Sequence, residues 1–307
     1  MSTRVSNRLV WTVVLLITIG WGTLPVVIRI ALREDVRPLV IAAGPTLVAA
    51  AALMGFLAVT RRLGRIGPVE IRIGLVLALL SVVLPNVFRP LAAEHASAGF
   101  LGLTSALVPL TTVLIAHFVL AEERITATTL GGLALGLIGV ATLVLSGDTG
   151  LGAKGNVVLA AAYAMGSVLS VSASSVFAKR HAGEYSVMGV SGVQFVVGSA
   201  FLAAAVLIWE GVPLNPTGLG WGSLVFLGLA CTFMPVVLYY WLLQHVTVTY
   251  STIVGYLIPL VSVVIGWLLL DEQVGWGIAA GGALILAGVV VTDLIRTRSR
   301  RRERGAG

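Results

Sequence analysis

Ten apolar runs of about 20 residues each fill most of this 307-residue chain, at roughly 9–30, 38–60, 72–93, 99–120, 127–146, 156–178, 187–209, 219–242, 249–270 and 275–295. A run of that length crosses about 30 Å of hydrocarbon as a helix. Lipid offers backbone N–H and C=O groups no partner, so each run must satisfy its own hydrogen bonds and is expected to be helical. Composition excludes a water-facing alternative. Hydrophobic residues make up 58% and charged residues only 11% of the chain, against about 25% charged in soluble domains. The 36 glycines suit close helix packing in lipid.

The net charge of +7 is placed for topology and gives no sign of a nucleic-acid partner. Six of the twenty basic residues lie in the last dozen positions (Arg296, Arg298, Arg300, Arg301, Arg302 and Arg304), and most others flank apolar runs. With a cytoplasmic N-terminus, fifteen Lys and Arg fall inside, and five (Arg29, Arg33, Arg37, Arg89 and Lys154) fall on or near the outside. That bias predicts a multi-pass protein of the plasma (inner) membrane with both termini in the cytoplasm. The first run is long and has no small-residue cleavage site behind it, so the first helix itself is expected to direct insertion. The lone cysteine, Cys231, sits in an apolar run, which leaves no disulfide framework and no metal cluster.

The chain repeats itself at a spacing of 150 residues. Over 77–140 against 227–290 the ungapped register pairs Pro85 with Pro235, His95 with His245, Pro109 with Pro259, Glu122 with Glu272, and Gly131-Gly132 with Gly281-Gly282. Leucine matches carry little weight in such a composition, but these rarer residues in one register carry much more. Each copy holds five spans, an odd number, so the second must enter the membrane from the opposite side. The expected fold is therefore an all-α integral membrane protein of ten transmembrane helices, built as two inverted five-helix repeats. Its parts would be 1–147 (first repeat), 148–155 (connector), 156–296 (second repeat) and 297–307 (basic cytoplasmic tail).

The order of motifs resembles the EamA-like members of the drug/metabolite transporter superfamily. The first half carries Trp21-Gly22, Leu107-Val108-Pro109-Leu110 and Leu120-Ala121-Glu122-Glu123-Arg124, followed by Gly132. The second carries Leu257-Ile258-Pro259-Leu260, Leu270-Asp271-Glu272 and the glycine-rich run from Gly281 to Val289. These look like the family's proline-containing fourth and ninth helices, each followed by an acidic turn and a glycine-rich last helix. Either Glu122 or Glu123 fits the first acidic turn. The second turn, Glu272-Gln273, lacks the usual arginine, and Tyr163-Ala164 stands where many relatives show tryptophan. The resemblance implies a transporter whose fifth and tenth helices stand away from the cavity. The GxxxG pairs Gly132/Gly136 and Gly277/Gly281 suggest that these two helices pack closely, within one chain or between the subunits of a homodimer.

Ionisable side chains inside a membrane are functional candidates. Arg29 and Arg89 lie toward the outer ends of their spans, so each has two readings: a cavity-facing cation, or a side chain that snorkels to the interface. Arg89 follows Pro85 by four residues, which puts both on one helix face. Tyr239 stands in the same relation to Pro235. The prolines Pro85, Pro109, Pro235 and Pro259 each remove a helical hydrogen bond and free a carbonyl, either for a solute or simply as a kink. Trp21, Tyr163, Tyr239 and Tyr240 offer flat walls, while Asn86 and Gln194 offer hydrogen bonds. The serines at 170, 172, 174 and 175 read more naturally as interhelical glue. His95 and His245 lie in tight connectors and read as capping residues.

No acidic residue sits mid-span, which argues against tight proton or sodium coupling. No phosphate loop, cofactor motif or nucleophile constellation occurs, so the expectation is a non-enzymatic carrier. The reading is a secondary transporter or facilitator that moves a small, amino-acid-like metabolite by alternating access, in the direction of export. The competing readings are a nucleotide-sugar or sugar-phosphate carrier, which needs more cations than Arg29 and Arg89, and a membrane enzyme or assembly partner without transport.

Overall fold

In a computed structural model, residues 7–61, 66–120, 127–151, 155–211, 216–245 and 248–305 are described; for 127–129, 240, 243–245, 248–253, 256 and 292–305 the backbone alone is described. Every apolar run is helical, and no strand occurs among the described residues. The first five spans are α1 (Asn7–Arg33), α2 (Pro38–Val59), α3 (Pro68–His95), α4 (Ala98–Val119) and α5 (Ala127–Ser146). They are followed by α6 (Val157–Arg180), α7 (Val187–Glu210), α8 (Gly218–Gly228, continued by Leu229–Phe233 and Met234–His245), α9 (Val248–Leu270) and α10 (Trp276–Gly305). Seven of these are long and apolar enough to cross a membrane by length and composition. The other three contain the shorter apolar stretches Leu130–Ser146, Leu257–Leu270 and Trp276–Val291. The helix of α10 continues without a break into the basic tail.

Local sequence sets the boundaries. Pro38 and Pro68 open α2 and α3, where a missing N–H costs nothing. Side-chain oxygens of Ser97, Asn156, Ser186 and Thr217 accept backbone N–H groups in the first turns of α4, α6, α7 and α8. Large apolar side chains such as Leu15, Ile19, Leu207, Ile208 and Trp267 lie exposed on the outside, as a hydrocarbon solvent requires.

The principal contacts between the halves come in mates. α1 packs on α8 and α9, as α6 packs on α3 and α4; α2 packs on α8, as α7 packs on α3. The pairs α2–α7, α4–α9 and α5–α10 are each their own mate. Exchanging span n with span n + 5 therefore maps the interface between halves onto itself. The α5–α10 pairing is formed within one chain. A Cβ on Gly139 would lie 2.6 Å from the Gly281 carbonyl, and one on Gly288 would strike the Gly132 carbonyl, so these backbones touch.

The repeat extends to irregular backbone. In α3 the residues Ala78–Val83 form a π-helical turn directly before Pro85, and in α8 Leu229–Phe233 form one directly before Pro235. Such turns widen the helix by one residue and relieve the clash that a mid-helix proline creates. The other proline pair diverges. Pro109 opens the second piece of α4 after a turn at Ala106 and Leu107, whereas Pro259 sits inside the continuous helix of α9.

Candidate functional site

Side-chain hydroxyls in both π-helical turns bond carbonyls just before them. Ser81 Oγ donates to the Leu77 carbonyl at 2.6 Å, and Thr232 Oγ1 donates to the Leu227 carbonyl at 2.9 Å. Leu77 and Leu227 are partners in the 150-residue register. The Gln194 amide oxygen lies 3.2 Å from the same Ser81 hydroxyl, which places Gln194 as a brace from α7 onto this turn. Asn86 Nδ2 donates to the Val82 carbonyl at 2.6 Å. These polar groups are thus committed to holding the interruptions together.

Arg89 stands apart from them. It is half-buried and makes no hydrogen bond or ion pair among the described residues. Helical geometry fixes where it points. Phe88 packs on α6, its ring 6.4 Å from that of Tyr163 and close to Gly166. Asn86 and Pro90, on another side of the helix, face α1 and α2 across a narrow cleft. At 100° per residue, Arg89 falls between these two faces, on the side of α3 that carries the fully buried Ala92, Ala93 and Ala96. Pro85 is buried one turn before it on the same face.

Two aromatic groups flank this region. Tyr163 stacks between Phe88 and His95, with His95 at 6.3 Å and an interplanar angle of 12°. His95 is therefore a wall of the ring column on α3, in place of the expected cap. Trp21 and Tyr239 meet across α1 and α8 with centroids 5.3 Å apart. Gly20 and Gly22 permit this approach, because a Cβ on either would strike Pro235 or Val261.

The cleft is lined by Leu24, Ile28, Ile41, Pro45, Asn86, Pro90, Leu227 and Thr232, and its free space is about that of a single water molecule. The bundle is thus nearly closed at this point.

Arg29 takes neither of its two sequence readings. Its Nη1 donates to the Ala93 carbonyl at 2.6 Å, and its Nε lies 3.5 Å from Glu272 Oε1, so it turns inward to a partner. Pro235 and Pro259 are buried, whereas Pro109 is exposed. The Tyr240 side chain lies outside the described residues, as do Glu122 and Glu123. Ser172 bridges to the Val108 carbonyl of α4, and Ser170, Ser174 and Ser175 bond within their own helix. Among the candidates, then, the structure brings Trp21 to Tyr239 and sets Asn86, Arg89 and Tyr163 around one stretch of α3. Arg29 grips the Ala93 carbonyl at the outer end of that stretch and Gln194 braces the π-helical turn before it, while Pro109 lies apart.

Sequence reasoning passed over Phe88, Ile41, Pro45 and the hydroxyls of Ser81 and Thr232. Pro45 gave a signal, being a proline inside an apolar run. The sequence profile of the EamA-like transporter family matches residues 9–145 and again 158–293. The chain belongs to that family. This EamA-like chain is 23% identical over 283 residues to the uncharacterized transporter YoaV of Bacillus subtilis (strain 168), covering 92% of this chain and 96% of that one. It is 26% identical over 220 residues to an uncharacterized transporter of Archaeoglobus fulgidus, covering 70% and 75%. A solved crystal structure of a protein at 22% identity shares the fold with a TM-score of 0.64, over 95% of this chain and 99% of that one. It is a membrane transporter by family.

Proposed function

We propose that this EamA-like chain is a secondary transporter or facilitator that exports a small amino-acid-like metabolite across the inner (plasma) membrane by alternating access. Arg89 would hold the solute carboxylate. The observation that carries this reading is an arginine on the interior face of a membrane span with no partner of its own. A guanidinium in such a place is expensive unless an anion joins it, and its planar fork suits a carboxylate. Tyr163, Phe88, Trp21 and Tyr239 would form flat walls for the apolar part of the solute.

A metabolite needs a pocket of about 300 Å³ or more, far beyond this cleft, so a solute admitted here would need the halves to part. The matched packing between halves supports two arrangements of similar energy, as an inverted second copy would give. A phosphate-bearing solute fits less well, since Arg29 is already held by Glu272 and one guanidinium remains. Homodimerisation through α5 and α10 would have to use the faces these helices leave free after packing on each other.

A thermal-shift panel on the detergent-purified protein tests the solute class. Zwitterionic carboxylates should raise the melting temperature, while their methyl esters and simple sugar phosphates should not. Stabilisation by phosphates alone would replace this reading with the sugar-phosphate one. Topology is tested by Ala153→Cys in a Cys231→Ser background, which should react with an impermeant maleimide only from outside intact cells. Reaction only from inside would reverse the orientation.

A further inference from the structure

Near the end of α1, one buried junction ties the two halves together. Both carboxylate oxygens of Glu272, in the turn between α9 and α10, accept the Ala98 N–H at the start of α4, at 3.0 and 2.9 Å. The Glu272 side chain is 4% exposed, and Arg29 Nε of α1 reaches it at 3.5 Å. Arg29 also holds the Ala93 carbonyl of α3. Gly266 of α9 leaves the room, since a Cβ there would lie 2.5 Å from Glu272 Oε2. Two helices of the first half, α1 and α4, thus reach one carboxylate of the second, and α3 is held to it through Arg29. On the same side, the Ser97 N–H bonds the Thr149 carbonyl of the connector after α5.

The pair is buried but incompletely satisfied. Arg29 Nε is enclosed and has no hydrogen-bond partner, and Glu272 spends both oxygens on a single N–H. A buried ion pair of this quality adds little net stability, because desolvation offsets its attraction. Such a contact adds little as a staple yet specifies one arrangement, because parting it leaves a charge that must find water or a new partner.

Its position gives it leverage. The outer piece of α3 runs from Leu84 to His95, bounded below by the π-helical turn and above by the extended backbone at Ala96. That rigid piece carries Arg89 and, one turn further on, the Ala93 carbonyl that Arg29 grips.

We infer that the Arg29–Glu272–Ala98 junction is the latch of the gate at this end of the solute path, and that the Leu84–His95 piece of α3 is the lever that connects it to the binding site. The inference rests on the transport reading, since a gate needs a path. Opening at this end separates α1, α3 and the start of α4 from the α9–α10 turn, breaking the Arg29–Glu272 contact and freeing the Ala98 N–H.

The test measures accessibility with no solute present, so its outcome is independent of whether Arg89 binds one. Leu24→Cys in a Cys231→Ser background reports on the cleft below the junction. An impermeant maleimide is applied from the face that labels Ala153→Cys. Glu272→Gln and Arg29→Gln should each raise the labelling rate at least tenfold, and the double variant should go no further than either single. Thr217→Val removes both the tie to Glu34 and the side-chain cap of α8, at a distance from the junction, and should leave the rate within twofold. Size-exclusion profiles establish which variants are folded, and Arg29→Gln decides the matter if Glu272→Gln is not. Unchanged rates in folded variants would overturn the latch. So would an equal rise in Thr217→Val, which would mark a general loosening.

Discussion

In α3, a π-helical turn precedes Pro85 and a hydroxyl closes the Leu77 carbonyl; in α8, the same turn precedes Pro235 and a hydroxyl closes the Leu227 carbonyl. One turn past the proline the likeness ends. α3 presents Arg89 beside the ring column of Phe88, Tyr163 and His95. α8 presents Tyr239, paired with Trp21, against the aliphatic Val10, Val13, Val14 and Ile17 of α1. The irregular backbone is alike in both copies, while the cationic side chain stands in only one. A moving part needs matched energies on both sides of the pseudo-twofold, and a binding group is needed only once at a central site.

The largest effect expected from this contrast is at Arg89. Arg89→Leu should keep the fold, because it removes a buried charge, and weaken carboxylate binding by about 2 kcal/mol, roughly thirtyfold. Arg89→Lys keeps the charge without the fork and should recover part of the affinity, read by titration calorimetry. If Tyr239→Leu costs as much as Arg89→Leu, the two copies share the chemistry and the contrast fails.

The next effect concerns the shared backbone. Ser81→Ala and Thr232→Val each leave a carbonyl without its hydroxyl, which should cost about 1–2 kcal/mol of stability in thermal melts. The Ser81→Ala loss should be the larger of the two, because Ser81 also meets Gln194. A silent variant on one side would mean that the two interruptions are held differently. Smaller still is Tyr239→Phe, which keeps the ring contact with Trp21 and should alter solute affinity by less than about 1 kcal/mol in the same titrations. The smallest expected effect is none at all. A pH gradient imposed on vesicles without a solute gradient should drive no net accumulation, and clear uphill accumulation would place a proton carrier at a span end.

What was legible in the sequence follows from which signals survive without a third dimension. The spans and the repeat were legible because hydrocarbon thickness sets run length and because rare residues recur in register. The π-helical turns were not, since an i→i+5 pattern leaves no residue signature, and Ser81 and Thr232 sit one place out of register with each other. Pro45 escaped because its register partner is Phe195, so a search guided by the repeat discarded it. The ring column needed the knowledge that α6 is the neighbour of α3. Glu272 read as a connector residue, and only packing reveals a buried carboxylate that draws Arg29 inward. The reading of Arg89 rested on its spacing from Pro85, a local quantity that the fold preserves.

Uptake of a labelled zwitterionic carboxylate into vesicles carrying the purified protein, with wild type and Arg89→Leu side by side, tests the central claim most directly. The account predicts saturable uptake for wild type and at least a thirtyfold fall in apparent affinity for Arg89→Leu at equal protein density, about 2 kcal/mol. Identical kinetics for the two would contradict it, and Arg89 would then be a structural residue in a transporter whose solute binds elsewhere.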